Sequence, residues 1–410
     1  MPINLEIPRK FEGLVGQANQ VANEVFRRNS RKYDLAEHEY PKELDILAAL
    51  IDGMNEGGAL SGAGAGTVGS GSSNGSSERD ANRNGSNMAS LLGLIELCWG
   101  DVGLLLTMPR QGLGQAAIAA VADEEQLKRF GGRWAAMAIT EPEAGSDSAA
   151  IRTTARLDAE TDEYVLNGEK IFVTSGDRAE LIVVWATLDR TAGRGAIKSF
   201  VVERDNPGLK LDRLEHKLGI RASDTANFVL DNCRVPRENL LGSPEIETSR
   251  QGFAGVMQTF DNTRPLVAGM AVGVARACLE RTRELLTTAG IEIDYARPPH
   301  AQPAAASEFI AMESDWEAAR LLTLQAAWMA DNRKPNSLQA SMAKAKAGRV
   351  GTDVALRCVA LAGAVGYGEG ELLEKWARDA KILDIFEGTQ QIQLLVVARL
   401  LLAKSSSELK

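Results

Sequence analysis

Histidine and cysteine are scarce in this chain, with three and four among 410 residues. Cys98, Cys233, Cys278 and Cys358 stand far apart and form no CxxC pair, and His38, His216 and His300 are equally scattered. Such spacing supports neither a metal site nor a disulfide framework. Isolated cysteines of this kind are mostly small buried apolar residues, in keeping with a reducing cytoplasm. There is no Lys/Arg run or basic stripe, and the net charge is −9. That argues against nucleic acid or an anionic membrane as the main partner. No uncharged apolar stretch reaches the ~18 residues of a bilayer span, so stable membrane insertion is not expected. The N-terminus, "MPINLEIPRKFEGL", has no apolar core of a signal peptide.

What is present is ordinary for a soluble globular protein: 44% hydrophobic and 25% charged residues, with a length that suggests two or three domains of roughly 150 residues. The hydrophobic period divides the chain. Residues 1–133 read as helical, with "KELDILAALIDGM" and "MASLLGLIELCWGDVGLLL" carrying apolar residues at helical spacing. Between them, residues 57–87 are glycine, serine and asparagine with little to bury, which predicts a flexible loop. This loop holds a GxGxxG at Gly64, Gly66 and Gly69. No strand precedes it and no helix follows, so it lacks the context of a dinucleotide fingerprint.

Over residues 134–242 the period becomes strand-like. "EYVLNGEKIFVTSG" reads as two strands joined by a hairpin turn at Asn167-Gly168. "ELIVVWATLD", "IKSFVVERD" and "ANFVLDNCRVP" follow without helical crossovers, which predicts an antiparallel β domain. From 243 to 410 helices return. Phe253, Val256, Met257 and Phe260 form one stripe, and Phe309, Met312 and Trp316 another, both read as core. "LQASMAKAKAGRVGTDVALRCVALAG" is a long helix ending at glycine. The predicted fold class is α+β: a helical N-terminal domain, a central antiparallel β domain and a C-terminal four-helix bundle.

Few segments carry chemistry. In "AITEPEAGSDSAA", Thr140, Gly145 and Ser146 offer hydroxyl and backbone donors in a turn, suited to a phosphate or a polar heterocycle or simply to a loop. In "FDNTRP", Asp261 and Arg264 share a helical face, either to clamp an anion or to pair with each other. In "DIFEGTQQIQLLVVARLLLA", Glu387 sits in a break between two helices.

Taken in order, "MAITEPEAGSD", "KIFVTSG", "FDNTRPLVAGMAVGVA" and "RDAKILDIFEGTQQIQ" resemble the signature segments of the acyl-CoA dehydrogenase family, from about Gly112 to Leu402. The resemblance implies FAD, an acyl-CoA thioester, α,β-dehydrogenation to the trans-2-enoyl-CoA, and electron-transferring flavoprotein as acceptor. Glu387 matches the family's catalytic base in the medium-chain-type position. Burial would raise its pKa, while the ribityl hydroxyl of the flavin and the backbone N–H of Glu387 would stabilise the developing enolate. Gly388 would allow close approach to substrate. By the same matching, Met137, Ile139 and Thr140 line the flavin, and Ser146 touches flavin and substrate. Phe172, Val173 and Thr174 contact the isoalloxazine, with Phe172 where many members have Trp. Thr389, Gln390 and Gln391 contact the cofactor beside the base. Asp261, Asn262, Thr263 and Arg264 match the acyl-CoA segment.

Two family motifs are missing. Arg-x-x-Phe-Gly is replaced by Thr288-Ala289-Gly290-Ile291-Glu292, and Gln-x-x-Gly-Gly by Ala360-Leu361-Ala362-Gly363-Ala364. In the family both reach across a dimer interface to the neighbour's FAD. The pattern predicts a related partner subunit in an α2β2 enzyme of fatty-acid or steroid side-chain β-oxidation. A homotetramer in which Arg297 substitutes is the alternative assembly. The alternative functions are a non-catalytic structural subunit and an oxygen-using oxidase.

Overall fold

The computed structural model describes residues 7–48, 85–109, 113–246, 254–405 and 408, with backbone alone over 254–262. The GxGxxG stretch lies outside these residues, as does most of the Gly/Ser-rich segment. So do the side chains of the Phe253–Phe260 stripe and those of Asp261 and Asn262.

Helix α1 (Arg9–Val21) runs through a π turn at Ala22–Arg27 into α2 (Arg28–Leu35). Helix α3 (Ser86–Gly100) is apolar nearly all round and buried from Met88 to Gly100 apart from Ala89, as expected of a helix packed on several sides. Ser86 and Asn87, assigned from composition to the loop, instead open this helix. The carboxylate of Asp331 accepts the backbone N–H of Asn87 at 2.9 Å and that of Met88 at 3.0 Å, capping the helix from a distant element. Asp101 then caps α4 (Val102–Thr107) by accepting the Leu104 N–H at 2.8 Å. Helices α5 (Leu113–Val121) and α6 (Glu124–Phe130) lead into the sheet.

The β domain comprises β1 (Ala135–Ala138), β2 (Thr154–Asp158), β3 (Glu163–Thr174), β4 (Leu181–Thr187), β5 (Ile197–Glu203), β6 (Leu209–Leu214), β7 (Thr225–Pro236) and β8 (Leu240–Leu241). Their order is β6-β7-β3-β2-β4-β5-β8, with β1 joined to β4. Most pairs are antiparallel, whereas β1–β4 and β2–β4 are parallel. Strand β4 is buried along its whole length. Ile182, Val184 and Ala186 face one core, while Leu181 and Val183 face another shared with Ala117, Ile118 and Phe130 of α5 and α6.

The expected Asn167-Gly168 hairpin is not formed. Strand β3 runs straight through both residues, and its pairing with β7 shifts register between Leu166 and Gly168. The dipeptide makes a bulge instead. Gly168 has φ +155°, and a Cβ there would lie 2.4 Å from the Thr153 hydroxyl, so glycine serves a close approach rather than a turn. The hairpin lies earlier, between β2 and β3, where Asp162 takes the left-handed conformation.

The C-terminal helices are α7 (Ala254–Thr288), α8 (Ala304–Asp331), α9 (Ser337–Tyr367), α10 (Leu373–Ala380) and α11 (Gln390–Leu402). Phe309 and Met312 are fully buried, and Trp316 donates its indole N–H to Val272 O at 3.0 Å, so this stripe is core. Helix α9 does not end at Gly363: it kinks there and continues to Tyr367. Allowing up to two charges per 18 residues, α9 is the one helix among the described residues long and apolar enough to cross a membrane. It packs against α7, α8, α10 and α11, which buries 39% of its apolar window. All four cysteines are buried and free.

A buried ionic node joins the three regions. Lys375 of α10 pairs with Asp101 and, at 2.7 Å, with Asp379; Ser30 also donates to Asp101, and the Ile220 N–H to Asp379 at 2.5 Å. Beside it Arg378 binds Asp34 and, at 3.0 Å, Leu218 O. The node anchors α10, the helix that leads to Glu387.

Candidate active site

A 3₁₀ turn at Lys381–Asp384 follows α10, and the chain then reverses before α11. The reversal uses two consecutive left-handed residues, Glu387 at φ +56° and Gly388 at φ +87°. For glutamate this conformation costs about 1–3 kcal/mol and persists only where the surroundings enforce it. Thr389 caps α11 by accepting the Ile392 N–H at 3.3 Å. Two side chains bind the carbonyls of the turn: Gln393 donates to Glu387 O at 3.0 Å, and Lys344 of α9 to Gly388 O at 2.7 Å.

The Glu387 carboxylate faces α7. The buried Thr263 hydroxyl donates to its Oε2 at 2.8 Å. Glu387 is half-buried as a residue, but desolvation of its carboxyl against α7 pushes it above its ordinary 4.5; Thr263, Arg264 and Lys344 oppose the shift without cancelling it. A carboxyl that is harder to ionise is a stronger base once ionised. Arg264 is buried in the same wall. The structure thus brings Glu387, Gly388, Thr263 and Arg264 together. Lys344 and Gln393 join them and escaped notice in the sequence. One is a lysine on an apolar helix, the other a glutamine one turn into α11, and only their burial marks them out.

The second half of the site is on the β domain. Met137 of β1 and Ile139 beyond it are half-buried over a cluster of Ala144, Ile151, Trp185 and Ile197, while Thr140 is half-buried and Ser146 exposed. Beneath this loop Lys170 is wholly buried and donates to Glu141 Oε1 at 2.7 Å and to Ile139 O at 3.1 Å. Glu141 also accepts the N–H groups of Arg152 (2.5 Å) and Thr153 (3.0 Å), so one carboxylate closes the loop. Burial opposes ionisation of Glu141, but Lys170 and these donors hold it below the usual carboxylate range.

Next to Lys170, the register of β3 on β7 slips again before Val173. This bulge turns Phe172 outward at φ +58°, 58% exposed, its N–H bonded to the buried Asn227 at 3.1 Å. A bulky residue in that region is a genuine outlier, and outliers of this kind cluster at ligand sites. Val173 points into the sheet core, so only its backbone can meet a ligand, and Thr174 is half-buried. Thr389 and Gln390 are half-buried, with Gln390 reaching Ala345 O at 3.5 Å, and Gln391 is exposed. An outward aromatic ring beside half-buried Met137 and Ile139 fits the apolar face of a flavin ring.

Two of the histidines, scattered in sequence, meet in space: His38, His216 and Glu37 hold ligand-type atoms within 4.8 Å of one another. Both Glu37 oxygens are already bonded, one to His216 Nδ1 and one to the Lys217 N–H, each at 2.9 Å.

Comparison with known proteins places the chain in a family. The family models for the middle and C-terminal domains of acyl-CoA dehydrogenase match residues 136–233 and 250–402. The short-chain specific acyl-CoA dehydrogenase of Clostridium acetobutylicum is 34% identical over 311 residues, 74% of this chain and 79% of that protein. The chain belongs to the acyl-CoA dehydrogenase family. The mitochondrial short-chain specific acyl-CoA dehydrogenase of Rattus norvegicus is 39% identical over 64% of this chain, and the match spans 61% of the rat protein's length. Butyryl-CoA dehydrogenase of Megasphaera elsdenii superposes with a TM-score of 0.81 at 28% identity, covering 98% of this chain and all of that one. A chain solved in work on the electron transferring flavoprotein of Acidaminococcus fermentans superposes at 0.77 and 29%, over 98% of this chain and all of that one. Acyl-CoA dehydrogenases are FAD-dependent oxidoreductases, and the predicted α+β architecture is theirs.

Proposed function

We propose that this chain catalyses α,β-dehydrogenation of an acyl-CoA thioester to the trans-2-enoyl-CoA, with Glu387 as the base that removes the α-proton. The observation that carries the reading is the Glu387 carboxyl, raised by burial, directed by Thr263, and held on a left-handed turn. FAD, when bound, supplies the acceptor for the hydride that leaves the β-carbon. Phe172, Met137 and Ile139 would hold its ring, and Thr140, Ser146 and the backbone of Val173 and Thr174 would bind its edge. Asp261, Asn262 and Arg264 would hold the CoA portion. The short-chain relatives make butyryl-CoA the first substrate to test, and the neighbour solved in work on an electron transferring flavoprotein fits electron-transferring flavoprotein as acceptor.

Glu387→Gln is nearly isosteric but cannot accept a proton. Anaerobic bleaching of the bound flavin by butyryl-CoA is expected to slow by about 10²–10⁴-fold while FAD content is retained. Bleaching near the wild-type rate rejects Glu387 as base.

The finer reading is that the enzyme is an α2β2 heteromer. Helix α7 ends at Thr288, where the family resemblance would place the Arg motif, and Arg297 in the connection after it is paired with Asp294 at 3.0 Å. The missing pyrophosphate contact would then come from a related subunit. A charge-assisted contact of that kind contributes about 1.5–3 kcal/mol, so the chain purified alone is expected to bind FAD about 10- to 150-fold more weakly than the heteromer. Native mass measurement with flavin counting tests this, and a homotetramer carrying one flavin on every subunit contradicts it.

A further inference from the structure

The turn that carries Glu387 presents two carbonyls in a left-handed reversal between a 3₁₀ turn and a helix, where the backbone supplies no regular partner for them. Both are bound by buried side chains from outside the turn. Gln393 is fully buried on the first turn of α11, with its amide nitrogen 3.0 Å from Glu387 O and 3.4 Å from Gly388 O. Lys344 is 1% exposed, enters from α9, and places its ammonium 2.7 Å from Gly388 O. Glycine at 388 suits this turn because its φ of +87° is strained for any other residue, and a Cβ there would stand 2.4 Å from the Gln393 amide nitrogen and displace that side chain. The expectation that Gly388 serves substrate approach thus has a more immediate reason in the turn itself.

We propose that Lys344 and Gln393 are positioning residues for the reaction: together they hold the base in its left-handed turn, and the Lys344 charge tunes its proton affinity without binding its carboxylate. The proposal rests on the reading of Glu387 as base. The charged groups acting on Lys344 are Asp384 below the turn, Glu387 itself, and Arg264 from α7, which opposes them. Among the described residues Lys344 makes no ion pair; its bond goes to a neutral carbonyl. An ammonium paired directly with Glu387 would hold the carboxylate ionised and weaken it as a base. Placed one residue on, the same ammonium ties the turn and acts on the carboxylate only through space. Burial lowers Lys344 to about 8, so the charge is present at neutral pH and fades above it.

The test compares Lys344→Met, Lys344→Gln, Gln393→Met and Glu387→Gln in the FAD-loaded enzyme. Amide hydrogen exchange over residues 385–389 is the first readout and needs no substrate. Exchange in this turn is expected to quicken at least about tenfold in Lys344→Met and Gln393→Met, with the rest of the chain unchanged. The second readout is anaerobic reduction by butyryl-CoA across pH. Lys344→Met is expected to lower kcat by about 10- to 100-fold, as a misplaced base does, with KM and FAD content within about twofold. Its acidic limb should move upward because a positive charge near Glu387 is gone. Lys344→Gln, which keeps a donor but no charge, should recover rate and leave the limb shifted. Wild-type exchange and an unmoved acidic limb in Lys344→Met overturn the proposal. So does a uniform loss of stability and FAD without a kcat effect. If Glu387→Gln stays active, the base assignment fails instead, and the exchange result still decides whether the turn is held as described.

Discussion

Lys170 and Lys344 are both buried, and desolvation pushes both down to about 8. Each favours the ionised form of the carboxylate nearby, yet the two carboxylates end on opposite sides of the ordinary range. Lys170 binds Glu141 directly, and Glu141 ends below the usual range. Lys344 binds the Gly388 carbonyl, and Glu387 ends above it. The first arrangement uses both charges to fix the loop that would meet the flavin. The second fixes a turn and leaves the carboxylate able to take a proton. Equal burial of the same side chain therefore accompanies a clamp in one place and a poised base in the other: a direct ion pair with two N–H donors outweighs desolvation at Glu141, and a charge acting only through space does not at Glu387.

The comparison breaks most visibly on the clamp side. Removing Lys170 leaves Glu141 buried without its counter-charge, a loss of about 3–5 kcal/mol. Lys170→Met should therefore lower the thermal midpoint sharply, and adding Glu141→Leu should restore most of it. A Lys170→Met protein as stable as wild type contradicts the clamp. The corresponding change on the base side, Lys344→Met, leaves no partner carboxylate stranded, so its main effect is on rate rather than melting.

The next effect separates strain from burial. Phe172 is exposed and left-handed, so Phe172→Gly relieves strain while losing little packing, and glycine's extra chain entropy offsets the gain. Stability within about 1 kcal/mol of wild type, together with markedly weaker FAD binding by flavin fluorescence, is expected. A large stability loss would mean the ring packs on protein.

A smaller effect is the pH dependence of stability. The folded value of Lys344 lies below the ordinary 10.5, so between about 8 and 10.5 the native state holds fewer protons than the unfolded chain. This group's contribution therefore makes stability rise with pH across that window. The stability of wild type relative to Lys344→Met should increase from pH 8 to pH 10.5 in urea unfolding; a decrease contradicts the assignment. Smallest of all is deletion within residues 58–83, whose composition offers little to bury beyond Leu60 and Val68. Loop length costs only about 0.6 kcal/mol per doubling, so melting and FAD content should scarcely change.

How far the sequence could be read follows the same physics. Periodicity marks helices, strands and cores because it is a local property, and β4 and the Phe309–Met312–Trp316 stripe are as expected. Asn167-Gly168 misleads because a turn dipeptide is also a bulge dipeptide, and Thr153 and β7, distant in sequence, decide between them. Glu387 is conspicuous only through its resemblance to a family motif. Lys344 and Gln393 look like ordinary polar residues until α9 and α11 are seen to enclose the turn. Lys170 and Glu141, 29 positions apart, likewise become a pair only when β3 passes beneath the loop.

The contrast between the two carboxylates is tested most directly by titrating them in the FAD-loaded protein, using ¹³C-labelled glutamate NMR with Glu141→Gln and Glu387→Gln to assign the signals. Glu387 should titrate above its ordinary 4.5 and Glu141 below it. A Glu387 midpoint at or below 4.5 would contradict the account of a base kept poised by burial.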